Sequence, residues 1–261
     1  MKSYQVKKLA LRLISILGAG LTNKAIRLLQ QSIGFGYDSG IQNEVKIFSI
    51  ELSKFKIEKP VILDVGANLG EWSKTVKTYF PKAEIHAFEP SKATFLDLVE
   101  SLRESENVST YNFGLGEAEQ SQLLFYENEK SGMASLYRRD LSRISIQFNK
   151  SETVEIKRLD NWLIQSGIKP NALKIDVEGH ELSVLRGLGE HLNDFKVIQF
   201  EFGGTDIDSR TFFQDFWNLF KNTNFSVYRL TPRGKIHIRS YAETDEVFAF
   251  TTYLAIAKQC L

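Results

Sequence analysis

A chain of 261 residues with 43% hydrophobic and 25% charged residues has the balance of a globular protein with a full core, which excludes a disordered or low-complexity chain. Its 33 basic and 32 acidic residues leave a net charge of +1, so the molecule as a whole exerts no pull toward nucleic acid or an anionic membrane. The one cysteine, Cys260, excludes an intrachain disulfide and fits a reducing, cytoplasmic setting.

Residues 1–58 read as a helical N-terminal extension, interrupted by "GFGYDSG" at 34–40. Val6, Leu9, Leu13, Ile16 and Leu17 recur at helical spacing with Lys7, Lys8 and Arg12 between them, the pattern of an amphipathic helix. Arg12 breaks the apolar run, and what remains falls short of the roughly 20 residues of a spanning helix, so no transmembrane segment is expected. The expected role is packing on the domain or on the partner of a homodimer, with peripheral membrane contact as the lesser alternative.

From Pro60 onward short apolar strands alternate with amphipathic helices. "VILDVG" reads as a strand and "EWSKTVKTYF" as a helix with Trp72, Val76 and Phe80 on one side. "EIHAFEP" is the second strand, stopped by Pro90, and Ser91 reads as the N-cap of a helix running to Arg103. "VSTYNFGLG" is the third strand. The rhythm breaks over 120–150, and "ETVEIKRLDNWL" then alternates as a strand, which marks an inserted antiparallel excursion at about 120–160. "ALKIDVEG" resumes as the fourth strand, "ELSVLRGLGEHL" as a helix, "FKVIQFEFGG" as the fifth strand and "SRTFFQDFWNLFKNTN" as a helix. "FSVYRL" and "EVFAFTTYLAIA" close the fold as an antiparallel pair. The expected architecture is α/β: one doubly wound, mostly parallel, seven-stranded Rossmann-like sheet over 59–261.

The strand ends carry the chemistry. Asp64 closes the first strand, a costly place for a carboxylate unless something polar meets it. The loop "GANLG", residues 66–70, offers glycine backbone and the N–H groups of the following helix, but it lacks the G-x-G-x-x-G spacing of a diphosphate site. Glu89, at the end of the second strand, is placed to accept two ribose hydroxyls. Asn112 and Phe113, at the end of the third, offer an amide and an aromatic ring for adenine. A carboxylate for an ammonium, glycine N–H groups, a ribose acceptor and an aromatic together fit S-adenosylmethionine. On the fourth strand, "LKIDVEGHE" puts Lys174, Asp176 and Glu178 on one face at the sheet's switch point, with His180 beyond. Asp176 and His180 are candidate bases and Glu178 a supporting group; an ion pair of Lys174 with Asp176 is the purely structural alternative. Glu201 and Ser131 are candidate acceptor contacts, and Tyr126, Tyr137, Trp162 and Tyr228 are candidate members of a sugar platform. Several carboxylates at one rim permit a divalent cation, though no ligand spacing marks a dedicated metal site.

"DVGANLG", "FEP", the "SGMASL" loop and above all "KIDVEGHE" resemble the FkbM-type methyltransferases, class I enzymes dependent on S-adenosylmethionine. The resemblance covers roughly residues 60–258. It implies that Asp64, Gly66, Asn68, Gly70 and Glu89 hold the cofactor and that Asp176, Glu178 and His180 lie at the reacting end. It further implies O-methylation of a hydroxyl on a small-molecule or glycan acceptor, with a sugar foremost. The rival readings are a nicotinamide-dependent oxidoreductase, which wants the missing third glycine, and a binding module that keeps the fold without turnover.

Overall fold

The stretches 61–65 and 172–175 are short and largely apolar, the composition of strands covered on both sides. In the computed structural model they lie side by side at the centre of a sheet. The structure describes Val6 and residues 18–128, 132–142 and 145–259. Residues 7–17 of the expected amphipathic helix, together with Ser131 and Cys260, lie outside them.

The elements in chain order are α1 (Gly18–Ser32), α2 (Ile41–Ser53), β1 (Val61–Val65), α3 (Glu71–Tyr79), β2 (Glu84–Phe88), α4 (Lys92–Leu102), β3 (Val108–Tyr111), β4 (Gly114–Gly116), β5 (Gln120–Tyr126), β6 (Asp140–Leu141) and β7 (Ile146–Gln147). They continue with β8 (Lys150–Arg158), α5 (Leu159–Ser166), β9 (Ala172–Ile175), α6 (Glu181–Arg186), β10 (Val197–Phe202), α7 (Asp206–Ser209), α8 (Phe213–Phe220), β11 (Phe225–Thr231), β12 (Gly234–Ile238) and β13 (Thr251–Ala257). Among the described residues the main sheet has the order β12-β11-β13-β10-β9-β1-β2-β3. β3, β2, β1, β9 and β10 run parallel, and β13, β11 and β12 are joined antiparallel.

Helices cover both faces. Val45, Phe48 and Leu52 of α2 and Trp72 and Val76 of α3 pack with Ile62, Ile85 and Ala172 on one side. Leu159 and Leu163 of α5, Leu182 and Leu185 of α6, and Phe213, Phe216 and Phe220 of α8 pack with Leu63, Leu173 and Ile198 on the other. The helix α2 of the expected N-terminal extension is thus part of the domain's core.

The sheet is one strand larger than the alternation suggested. β12 pairs with β11 at the edge, with Lys235 and His237 where a buried strand would carry apolar residues: Lys235 pairs with Glu51, and His237 stacks on Tyr228. The expected third strand is two: β3 ends at Tyr111, and β4 joins β8 and β5 in a separate three-stranded sheet. The alternation of "ETVEIKRLDNWL" holds only to Arg158, after which α5 begins, closed by Gly167 in the left-handed region (φ 69°). The long helix expected over "ELSVLRGLGEHL" stops at Arg186, and Gly189 (φ 52°) begins a 3₁₀ turn. The inserted sheet β4-β8-β5 brings the segment 132–142 over the carboxyl ends of β1, β2 and β9; Phe125 and Ser135 exchange backbone hydrogen bonds at its edge.

Candidate functional site

The loop after β1 is pressed against the end of β9. Gly66 has φ 75°, and a Cβ there would collide with the Asp176 carbonyl. The N–H groups of Gly66 and Ala67 both donate to the Phe88 carbonyl, at 3.0 and 2.9 Å. Gly66 is therefore demanded by the packing of the chain on itself as well as by any ligand. Asn68 follows in a left-handed conformation (φ 49°). Gly70, expected at the ligand, packs instead against α4: a Cβ there would meet Leu98 and Leu102.

Two cavities open on this loop. One, of about 680 Å³ and open to solvent, lies beneath the insertion, with Gly66, Asn68, Glu89, Asp176, Glu178 and His180 around it beside Leu124, Gly132, Ala134 and Leu136. The other, about 610 Å³, lies beneath α2, between Ile41 and Glu44 on one side and Asn68, Trp72, Lys174 and Asp176 on the other. Gly66, Asn68 and Asp176 line both. Six of the residues singled out in the sequence thus meet in one place.

Glu89 is buried at the floor of the first cavity. Its Oε2 accepts the Asn68 N–H at 3.1 Å and its Oε1 the Ser91 N–H at 2.9 Å. Burial pushes its pKa up to about 7, against the opposing pull of those two hydrogen bonds. Each carboxylate oxygen keeps a lone pair for a further donor. Ser91 begins α4 as expected, but its hydroxyl donates to Glu152 of β8 at 2.8 Å. The insertion is thereby tied to the rim beside Glu89.

Asp64 meets a partner from within the protein. It is fully buried, lines neither cavity, accepts from Ser73 Oγ at 2.7 Å and pairs with Lys174 Nζ at 3.1 Å. Direct contact with a ligand ammonium does not fit that placement, because the carboxylate is already enclosed. Lys174 Nζ also donates to the Gly66 carbonyl at 2.8 Å and stands 3.6 Å from Asp176 Oδ2. Burial works against its charge, but Asp64 and Asp176 outweigh it and hold its pKa above the usual lysine range. Asp176 is the looser partner, with 41% of its side chain exposed to the cavities. Both the ion pair and an open carboxylate are therefore present.

Glu178 and His180 are gripped by the insertion. Glu178 has φ 54°, its carbonyl accepts from Ser135 Oγ at 2.7 Å, and its Oε2 accepts from Arg139 Nη1 at 3.1 Å. Arg139 Nε lies 3.4 Å from Asp208 Oδ2. Burial, then the neighbouring Asp176 charge, push Glu178 up to about 7. His180 Nδ1 is 3.0 Å from the Tyr137 hydroxyl, and burial drives its pKa down to about 4, so the imidazole is neutral. Its Nε2 has no hydrogen-bond partner among the described residues.

Other expectations are redistributed. Asn112 Nδ2 donates to the carbonyls of Glu89 and Pro90, both at 3.0 Å, and so shapes the rim rather than lining the cavity. Phe113 is buried against Phe88 and Tyr111. Glu201 lines neither cavity; it follows Gln199, the neighbour of Lys174, on the α2 side of the sheet. Burial, then Asp176 and Glu44, raise its pKa well above the carboxylate range. Trp162 is in the core with Phe88 and Tyr111, and Tyr228 stacks on His237, so these two belong to no common platform with Tyr137. Among the described residues no group of three or more His, Cys, Asp or Glu is arranged to hold a metal ion.

Three residues escaped sequence reasoning. Glu181 is buried and accepts the N–H groups of Val177 and Gly179, both at 2.9 Å, which holds the turn after β9. Glu44 accepts from Gln199 Nε2 and Thr252 Oγ1, both at 3.0 Å, and burial raises its pKa. Arg139 gives no sign in the sequence beyond its place after "SGMASL".

The model of the methyltransferase FkbM domain matches residues 64–227. Methyltransferase 1 of Beauveria bassiana is 32% identical over 146 residues, covering 49% of this chain and 58% of that protein. Hexuronic acid methyltransferase AglP of Haloferax volcanii is 34% identical over 151 residues, covering 56% of this chain and 58% of that protein. The 2-O-methyltransferase NoeI of Sinorhizobium fredii is 23% identical over 176 residues, covering 63% of this chain and 72% of that protein. The chain thus spans less than two thirds of the length of the first two relatives.

Proposed function

The chain belongs to the FkbM methyltransferase family, and on that footing we propose that it transfers a methyl group from S-adenosylmethionine to a hydroxyl of a small-molecule or glycan acceptor, a sugar in particular. The observation that carries this reading is the meeting of Gly66, Asn68, Glu89, Asp176, Glu178 and His180 in one cavity roofed by the insertion. A buried carboxylate with free lone pairs, beside the open Asp176 carboxylate and the Asn68 side chain, fits a ribose and the charged tail of the cofactor without a diphosphate. The two relatives whose names give a hexuronic acid or a 2-O position support a sugar hydroxyl as the acceptor.

When bound, S-adenosylmethionine supplies an electrophilic methyl on a sulfonium. Glu89 would accept the ribose hydroxyls. Asp176 would take the acceptor's proton as the methyl passes from sulfur to the acceptor oxygen and S-adenosylhomocysteine leaves: it is the carboxylate that lines both cavities, whereas His180 lines only the first and is committed to Tyr137. His180, through Tyr137, holds the roof, and Glu178 holds Arg139. Alignment of the oxygen at about 3–3.5 Å is the insertion's task.

The test is transfer of labelled methyl from S-adenosylmethionine to a panel of neutral sugars and uronic acids, in the parent and in Asp176→Asn. The reading requires product with the parent on at least one hydroxylated acceptor and a loss of about 10²–10⁴-fold in Asp176→Asn. Transfer to amines or thiols alone would overturn the O-methyl reading.

A further inference from the structure

Helix α1 turns its apolar side to solvent. At helical spacing Leu21, Ala25, Leu28 and Leu29 share one side, while Asn23, Lys24, Arg27 and Gln31 share the other. Leu21, Leu28 and Leu29 are 61%, 67% and 68% exposed, and none joins a hydrophobic cluster among the described residues. The far end of the helix is nevertheless fixed. Arg229 Nε donates to the Ile33 carbonyl at 2.8 Å and its guanidinium lies 3.7 Å over the Phe35 ring. Gly36 N–H donates to the Phe250 carbonyl at 2.8 Å, and Gly34 is pressed against the Leu230 carbonyl. The apolar side is therefore presented from a built junction.

Charge says what covers it. The first 37 residues hold six basic side chains, Lys2, Lys7, Lys8, Arg12, Lys24 and Arg27, and no acidic one, leaving 27 basic against 32 acidic in the rest of the chain. The near-neutral whole conceals a cationic N-terminal segment. A second copy seated on the leucine side would cover the leucines but leave the cations without a counter-charge. An anionic bilayer surface meets both demands: the leucines enter the boundary of headgroups and acyl chains while Lys24 and Arg27, on the polar face, reach along their aliphatic stems to the level of the lipid phosphates and carboxylates. A 15-residue helix reaches about 22 Å, enough to lie on a bilayer and too little to cross it.

We propose that α1 is a membrane-surface helix that docks the protein on an anionic lipid bilayer. The experiment is co-sedimentation of the full chain with vesicles of phosphatidylcholine plus phosphatidylserine and with vesicles of phosphatidylcholine alone, with the mass in solution measured by light scattering. Binding to the mixed vesicles is expected to be at least tenfold tighter than to phosphatidylcholine and to weaken as salt rises. Leu28→Asp with Leu29→Asp, and separately Lys24→Glu with Arg27→Glu, are each expected to lose at least tenfold in binding while keeping the parent melting temperature, since all four side chains are exposed. The proposal fails if the mixed vesicles do not pellet the parent, or if neither pair of substitutions weakens binding. It also fails if the parent is a dimer that the leucine pair dissociates without any vesicle binding, which would assign the surface to a second copy.

Discussion

Lys174 and Asp64 stand side by side on adjacent parallel strands, with Nζ 3.1 Å from Oδ1 and both side chains withdrawn from solvent. The same ammonium holds the Gly66 carbonyl, so one buried cation ties β1, β9 and the glycine loop together. A carboxylate at the end of a buried strand is explained by this internal partner.

Removing one member leaves the other charged and enclosed. Lys174→Met should cost about 3–5 kcal/mol in urea unfolding, because an uncompensated buried carboxylate remains. Adding Asp64→Asn should restore part of that loss. A single substitution costing under about 1 kcal/mol would show that the pair carries little of the fold.

If Glu89 holds the ribose as proposed, it should set a pH dependence for cofactor affinity. Its pKa in the free protein is about 7, and only the ionised carboxylate accepts two hydroxyls. Protons therefore compete with the ligand below pH 7, and affinity should fall by up to about tenfold per pH unit from there toward pH 5. Glu89→Gln should bind about 1.5–3 kcal/mol more weakly at pH 8 and show no such slope. Calorimetric titration of S-adenosylhomocysteine across this range checks both, and a parent curve flat from pH 5 to 8 would remove Glu89 from the site.

The roof should loosen when its clasp is cut. Arg139→Met leaves Glu178 and Asp208 without their shared cation. Because both carboxylates are partly exposed, the stability loss should be modest, about 1–2 kcal/mol. Amide hydrogen exchange over 132–142 should quicken while the central strands keep parent protection. Unchanged exchange in that segment would mean the insertion is held by other contacts.

Two neighbours in one loop should separate packing from binding. Gly66→Ala forces a Cβ into the Asp176 carbonyl at a positive φ and should lower the melting temperature. Asn68→Gly keeps the left-handed backbone and removes only the side chain that lines both cavities. It should bind the cofactor more weakly with little loss of stability. Equal melting temperatures for the two variants would contradict the packing role given to Gly66.

The parts legible in the sequence are those whose cause is local. β1, β2, β9 and β10 could be read because strands covered on both faces are short, nearly continuous apolar runs. Glu89 and Asp176 could be read because strand ends point at the rim of a parallel sheet. Asn112 and Phe113 occupy a strand end as well, but position alone does not say that one turns to the Glu89 and Pro90 carbonyls and the other into the core. β12 was hidden because an edge strand need not be apolar. Glu44 was hidden because its partners, Gln199 and Thr252, lie more than 150 residues away along the chain.

Whether the cavity beneath the insertion holds S-adenosylmethionine is decided by titration calorimetry with S-adenosylhomocysteine and with NAD. The parent should bind S-adenosylhomocysteine and ignore NAD, and Glu89→Gln should lose at least tenfold in affinity while unfolding at the parent temperature. Binding of NAD in preference to S-adenosylhomocysteine, or parent affinity in Glu89→Gln, would contradict the account.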